Sequence, residues 1–172
     1  MTGALKTGLM PGLAEWLEGQ GIEYEVHEHE RSLTATATAR AEGVDPKTFA
    51  KVVWVRTQEG EDAFMVIDAL DHLDLKKAAA VLGTARIELV SEEEIATAAP
   101  DCELGAMPAV GRLFLLPTFA DHAVAEDAEI SFNGGSHSIA VRVDRAQWER
   151  GADVTYRDLA AHPWKEPAWA RS

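Results

Sequence analysis

The chain has 172 residues and a mass of 18.7 kDa, with 47% hydrophobic and 26% charged residues, a mixture that suits one globular domain and excludes a disordered polar chain. Its 16 Lys and Arg stand against 29 Asp and Glu, a formal charge of −13, which excludes a generic duplex-DNA binder, because sequence-independent phosphate attraction needs a broad basic face. The single cysteine, Cys102, excludes an internal disulfide and a cysteine-built zinc site.

Met1 to Pro11 carries little positive charge and no apolar leader segment, and no run approaches the ~20 apolar residues that cross a bilayer. A soluble, cytoplasmic chain without membrane contact is expected. Leu13, Trp16 and Leu17 recur at helical spacing, giving a short amphipathic helix over Leu13 to Glu18 that Gly19 and Gly21 stop. Ile22, Tyr24 and Val26 then alternate with Glu23, Glu25 and His27, the period of a strand with one wet face. Thr34 to Glu42 is alanine-rich and ends at Gly43, which predicts a helix entered through Ser32 or Thr34. Phe49 to Val55 reads as a buried strand with Lys51 set into an apolar run, and Ala63 to Ile67 as its hairpin partner across the polar turn Thr57 to Asp62.

Asp74 caps a helix running through Leu75, Ala79 and Leu82 to Gly83. Ile87 to Val90 is a short strand, and Ser91 with Glu94 forms a capping box for a helix that Pro100 ends. Asp101 to Gly111 is a loop punctuated by Gly and Pro, leading into an apolar strand, Leu113 to Leu116, before Pro117. Ile130 to Phe132 and Ile139 to Val143 are strands around Asn133-Gly134-Gly135, a hairpin-turn pattern, and Asp144 caps a closing helix that contains Trp148. His162 to Ser172, with Pro163, Trp164, Pro167 and Trp169, suits an extended tail lying on the domain. No repeat or linker divides the chain, so residues 1–172 form one domain. Hairpins and non-alternating helices favour the α+β class over a doubly wound parallel sheet.

Common catalytic signatures are missing: there is no phosphate-binding P-loop, dinucleotide turn, G-x-S-x-G elbow or H-E-x-x-H zinc helix. His27 and His29, two apart on a strand, share a face and could form a metal pair, but Glu25, Glu28 and Glu30 around them point to a solvated rim. Lys51 must either face water or be held in a cleft, where it could anchor an anionic substrate; taken alone, the solvent-facing reading is the better one. The segment Gly105-Ala106-Met107-Pro108-Ala109-Val110-Gly111 could offer backbone N–H groups to a carbonyl oxygen or phosphate, and is equally well a plain strand connector. His137 could donate or shuttle a proton near neutral pH, although lone turn histidines are more often exposed polar residues.

Read in order, these pieces form a series. Phe49-Ala50-Lys51-Val52-Val53 is followed by Asp68, Leu73-Asp74-Leu75-Lys76-Lys77, the segment from Pro100 to Gly111, Phe132-Asn133-Gly134-Gly135-Ser136-His137 and Asp144-Arg145-Ala146-Gln147-Trp148. The series resembles the bacterial YbaK/prolyl-tRNA-synthetase-associated editing domain family of aminoacyl-tRNA deacylases, from about Leu13 to Trp148. The resemblance implies a mixed, mainly antiparallel, barrel-like β-sheet with surrounding helices. It implies a trans-acting deacylase that hydrolyses the ester of a mischarged tRNA, of the prolyl-error type, with no metal and no cofactor. The partner would be the acceptor end of an aminoacyl-tRNA; a homodimer is left open.

By matching positions, the resemblance implies Lys51, Gly105 and His137 as the catalytic group. Thr34, Ala106, Met107, Pro108, Gly111, Gly134 and Gly135 would bind substrate. An aminoacyl ester is already activated and lies beside a ribose hydroxyl, so positioning and oxyanion stabilisation suffice without a protein nucleophile. The pattern departs from the family where Pro108 is followed by Ala109 and Val110, which leaves the amino acid open. The acidic charge calls for a local basic patch, for which Lys47, Lys51, Lys76 and Lys77 are the candidates. A non-catalytic module that binds a nucleotide, an aminoacyl group or a protein is the competing reading, and a structural subunit docking through its Trp164 and Trp169 tail is a third.

Overall fold

Four helices start where a short polar side chain meets an apolar-periodic run, because its oxygen takes up an N–H that the first turn cannot pair. Thr34 accepts from the Ala37 N–H at the start of α2 (Ala35–Glu42), and Asp74 from Lys76 and Lys77 at α3 (Leu75–Val81). Ser91 accepts from Glu94 at α4 (Glu92–Ala98), and Asp144 from Gln147 at α5 (Arg145–Gly151). The first helix, α1 (Leu13–Gly19), begins instead at Gly12 with φ 89° and no side-chain cap. The structure, a computed structural model, describes residues 8–162; the expected tryptophan tail lies outside the described residues.

Among the described residues ten strands form the sheets. β1 (Tyr24–Glu28), β8 (Ile139–Asp144) and β7 (Glu129–Ser136) make an antiparallel sheet in the order β1-β8-β7. A second sheet has the order β5 (Ile87–Leu89), β2 (Ala50–Thr57), β3 (Asp62–Asp68), β6 (Thr118–Asp121) and β9 (Thr155–Arg157). The pairs β3–β6 and β6–β9 are parallel and the others antiparallel, and β4 (His72–Leu73) with β10 (Ala160–Ala161) closes a small third sheet. A parallel bridge from Phe49 to Ser131 joins the two larger sheets at one corner. This is the expected mixed, mainly antiparallel α+β arrangement.

Strand β3 is buried on both faces. Val66 packs with Leu13 and Leu17 of α1, Phe132, Val141 and Trp148, while Met65 and Ile67 turn to Ala78 and Ala79 of α3. Two-sided burial is why its sequence is a continuous apolar run instead of an alternation. Each such side chain contributes roughly 1.5–3 kcal/mol. Trp148 is fully buried and its Nε1 donates to the Ala109 carbonyl at 2.7 Å, so α5 pins the far end of the 101–111 loop.

Two expectations are corrected. Leu113 to Leu116 is not a strand: Gly111–Phe114 is a 3-10 turn, Leu115 takes φ 61° and stands 93% exposed, and the strand begins only after Pro117. The tight turn is set by Gly111, where a Cβ would lie 2.5 Å from the Leu116 carbonyl. Asn133-Gly134-Gly135 is also not the hairpin turn. It lies within β7, with a register shift between Asn133 and Ser136, and the chain reverses at His137 and Ser138. Glycine inside a strand marks a close backbone approach: a Cβ on Gly134 would sit 2.7 Å from Leu9 Cδ2, and one on Gly135 2.6 Å from Met10 Cβ.

Candidate functional site

The 101–111 loop lies across the β7–β8 hairpin and is tied to it at several points. Gly135 N–H donates to the Ala106 carbonyl at 3.0 Å and Glu103 N–H to the Gly135 carbonyl at 2.8 Å. Glu103 Oε1 accepts the His137 N–H at 2.8 Å, and its other oxygen meets Arg31. These interactions, the His137 N–H first, hold the Glu103 carboxyl below its ordinary range. The imidazole of His137 closes the junction, its Nε2 lying 2.6 Å from the Leu104 carbonyl.

Because a carbonyl only accepts, His137 Nε2 carries the proton and Nδ1 is the acceptor of the neutral ring. The Leu104–Gly105 peptide is trans, so fixing its C=O aims the Gly105 N–H the opposite way. Gly105 has φ 80°, and a Cβ there would touch His137 Cε1 at 3.5 Å. Among the described residues, the N–H groups of Gly105 and Met107 have no acceptor. Loose backbone donors beside an imidazole can stabilise negative charge developing on an oxygen.

These groups share a cavity of about 360 Å³. Gly105, Met107 and His137 line it, together with buried Trp54 and Val90, half-buried Val52, Val53 and Ile95, and Glu92 at the start of α4. Leu33, Leu89 and Leu104 also line it and stand 71%, 58% and 39% exposed, making an apolar border open to solvent. Trp54 is steadied by an edge contact with Phe64 at 5.3 Å and by its Nε1 bond to Asp62.

The other expected site residues fall elsewhere. Lys51 immediately precedes the lining residue Val52, but its half-buried ammonium donates to the Ala69 carbonyl at 3.2 Å. Burial pulls it below the usual lysine value, and Asp71 partly offsets that. Thr36 donates to the same carbonyl, which places Lys51 by the first turn of α2. Thr34 caps that helix next to Leu33. Ala106 and Pro108 are buried in the loop, and Gly111 spends its N–H on Thr118 Oγ1 at 2.8 Å. Gly134 and Gly135 receive the crossing segments, with Gly135 facing a different hollow beside Met10 and Cys102. His137 is 5% exposed and therefore no solvent-facing turn residue.

None of Lys47, Lys51, Lys76 and Lys77 lines the cavity, and Lys77 is held by Asp158 and the Ala160 carbonyl. The solvated-rim reading of the early histidines fits Glu25, Glu28 and Glu30, which are exposed, but not His29. His29 and Glu42 side chains are 3% and 2% exposed, and Glu42 stands between His27 Nδ1 at 2.7 Å and His29 Nε2 at 3.8 Å. Asp71, Asp121 and His162 bring ligand-type atoms within 4.8 Å of one another. Asp121 already accepts from Ala123, Leu159 and Ala160, and none of the three lines the cavity.

Sequence reasoning missed Glu92, Glu103 and the leucine border. A carboxylate one residue after a serine cap, and another two before a loop glycine, were the available signals.

A model of the aminoacyl-tRNA editing domain matches residues 29–150. The chain is similar to a solved candidate trans-editing enzyme for prolyl-tRNA synthetase, with a TM-score of 0.76 and 22% identity over 87% of this chain and 94% of that one. It is also similar to a scaffold protein used for computational epitope grafting, with a TM-score of 0.74 and 23% identity over 86% and 93%. A candidate signal transduction protein from Marinobacter aquaeolei VT8 shares the fold over 87% of this chain and 30% of its own, with a TM-score of 0.66 and 18% identity. No curated protein matches the sequence. Among the described residues no helix is long and apolar enough to cross a membrane.

Proposed function

We propose that this chain, which belongs to the aminoacyl-tRNA editing domain family, is a trans-acting deacylase that hydrolyses the ester of a mischarged tRNA, of the prolyl-error type, in the cytoplasm. The observation that carries the reading is the junction of Gly105, Met107 and His137 in one cavity, with two N–H groups free of acceptors among the described residues.

The ester carbonyl would sit against the Gly105 and Met107 donors, which meet the negative charge of the tetrahedral intermediate. His137 holds the Gly105 peptide through Leu104 and offers Nδ1 to a water or to the neighbouring ribose hydroxyl. Lys51 would exchange the Ala69 carbonyl for a phosphate or hydroxyl of the acceptor terminus. Thr34 would border the same approach, and the buried Ala106 and Pro108 would fix the loop's path.

Metal-free hydrolysis suits this donor set: among the described lining residues there is one imidazole, already bonded through Nε2, and one carboxylate, Glu92. An apolar wall of this size suits a small uncharged side chain. A second pocket adds fidelity where one methylene separates substrates by only about 1–3 kcal/mol.

The test is a panel of tRNAs charged with Ala, Ser, Cys and Pro, incubated with the intact protein and with Lys51→Ala. Release of one mischarged amino acid, weakened in the variant, is expected. Full activity of the variant would remove Lys51 from the mechanism. If no ester is discharged, the protein is a binding module and not an enzyme.

A further inference from the structure

Glu92 stands apart from the other acids of α4. Its neighbour Glu94 is committed to Arg56 at 2.6 Å, whereas Glu92 has no cation within ion-pair reach among the described residues and lines the cavity. Among the described lining residues it is the one carboxylate, in a wall otherwise made of apolar side chains, backbone donors and His137. The cavity thus presents three chemistries: N–H donors at Gly105 and Met107, an apolar surface from Val52, Trp54 and Val90, and a carboxylate. The α-carbon of an aminoacyl ester carries three substituents of matching kinds, namely a carbonyl, a side chain and an ammonium.

We infer that Glu92 binds the α-ammonium of the aminoacyl group, so that the cavity selects esters with a free, protonated α-amine and rejects N-acylated esters such as peptidyl-tRNA. This rests on the deacylase reading above and assigns it a substrate class. An N-acyl group removes the positive charge and places a bulkier neutral amide against a carboxylate, which forfeits the ion pair and strips water from the acid without repayment. Discrimination by charge at the α-amine would leave the side-chain wall free to choose the amino acid. It would also spare chains that are being synthesised, whose esters are all N-acylated.

The experiment uses the full chain and the tRNA ester discharged fastest in the panel, once with a free α-amine and once N-acetylated. The wild type should prefer the free amine at least about tenfold in kcat/KM at pH 7. Glu92→Gln should collapse that preference mainly by raising KM for the free-amine ester, and Glu92→Asp should keep part of it. Near-equal turnover of the two esters by the wild type, or an unchanged preference in Glu92→Gln, overturns the inference while leaving the deacylase standing.

A binding arm measures calorimetric titration with 3′-amino-3′-deoxyadenosine bearing an amide-linked alanyl or prolyl group, free or N-acetylated. Binding that prefers the free amine and depends on Glu92, without ester turnover, supports the inference and refutes catalysis. Absence of both binding and turnover overturns both.

Discussion

Asp68→Asn should flatten the pH dependence of stability. Asp68 ends β3 with only 4% of its surface exposed. Burial, then the nearby carboxylates Asp127, Asp71, Asp121 and Glu126, push its carboxyl up from 3.8 to about 8. Between those values the folded chain keeps a proton that the unfolded chain releases. Stability from this group is therefore complete below the unfolded value and drains away as pH rises through the folded one, by up to about 1.4 kcal/mol for each pH unit. Across the window the loss is on the order of 5 kcal/mol. Asparagine has nearly the shape of the protonated acid and cannot ionise. Urea denaturation of wild type and variant from pH 5 to pH 9 should give curves that already differ by about 1.5 kcal/mol at pH 5 and separate by roughly a further 4 kcal/mol by pH 9, the variant being the more stable. Asp127, raised to about 6 by burial, Glu126 and Asp45, leaves a residual slope in the same direction on the acid side. Parallel curves for the two proteins would show that Asp68 is already ionised in the fold and that the reasoning is wrong.

Gly135→Ala should cost on the order of 2–4 kcal/mol in denaturation experiments, since the residue has φ 109° and its new Cβ would meet Met10 Cβ at 2.6 Å. A loss below about 0.5 kcal/mol would mean that the crossing segment does not press on β7. His137→Ala should lower kcat for ester hydrolysis by roughly 10- to 100-fold with a smaller effect on KM, because the Gly105 donor is no longer held by the Leu104 carbonyl. Equal losses in binding and turnover would assign His137 to substrate binding instead.

Local chemistry was legible in the sequence wherever one residue and its near neighbours decide the outcome. The caps at Thr34, Asp74, Ser91 and Asp144 each need only an oxygen and an N–H two or three residues away. The β2–β3 hairpin needs only two apolar runs and a polar turn. The Leu113 to Leu116 run misleads because four apolar residues suit a strand and a tight turn alike, and the choice is made by the Gly111 contacts with Leu116 and Thr118. Glu42 is invisible as a partner of His27 and His29, because a helix and a strand must first be placed side by side.

The same limit explains why the sequence misleads about the surroundings of His137. Two glycines before a histidine look like a turn that presents the histidine to solvent. In the fold, those glycines make the strand thin enough for Met10 and the 101–111 loop to cross it, with Met10 N–H on the Gly134 carbonyl and Glu103 N–H on the Gly135 carbonyl. The histidine then turns inward and binds the loop it could not have been known to meet. Glycine at 134 and 135 is therefore a condition for the donors at Gly105 and Met107 being held where they are, at one remove from any substrate. A site assembled this way is preorganised by backbone crossings instead of by long charged side chains. On the proposed reading, the acidic composition of the chain is compatible with chemistry at the end of an RNA, because the groups that would meet the reacting oxygen are uncharged N–H dipoles.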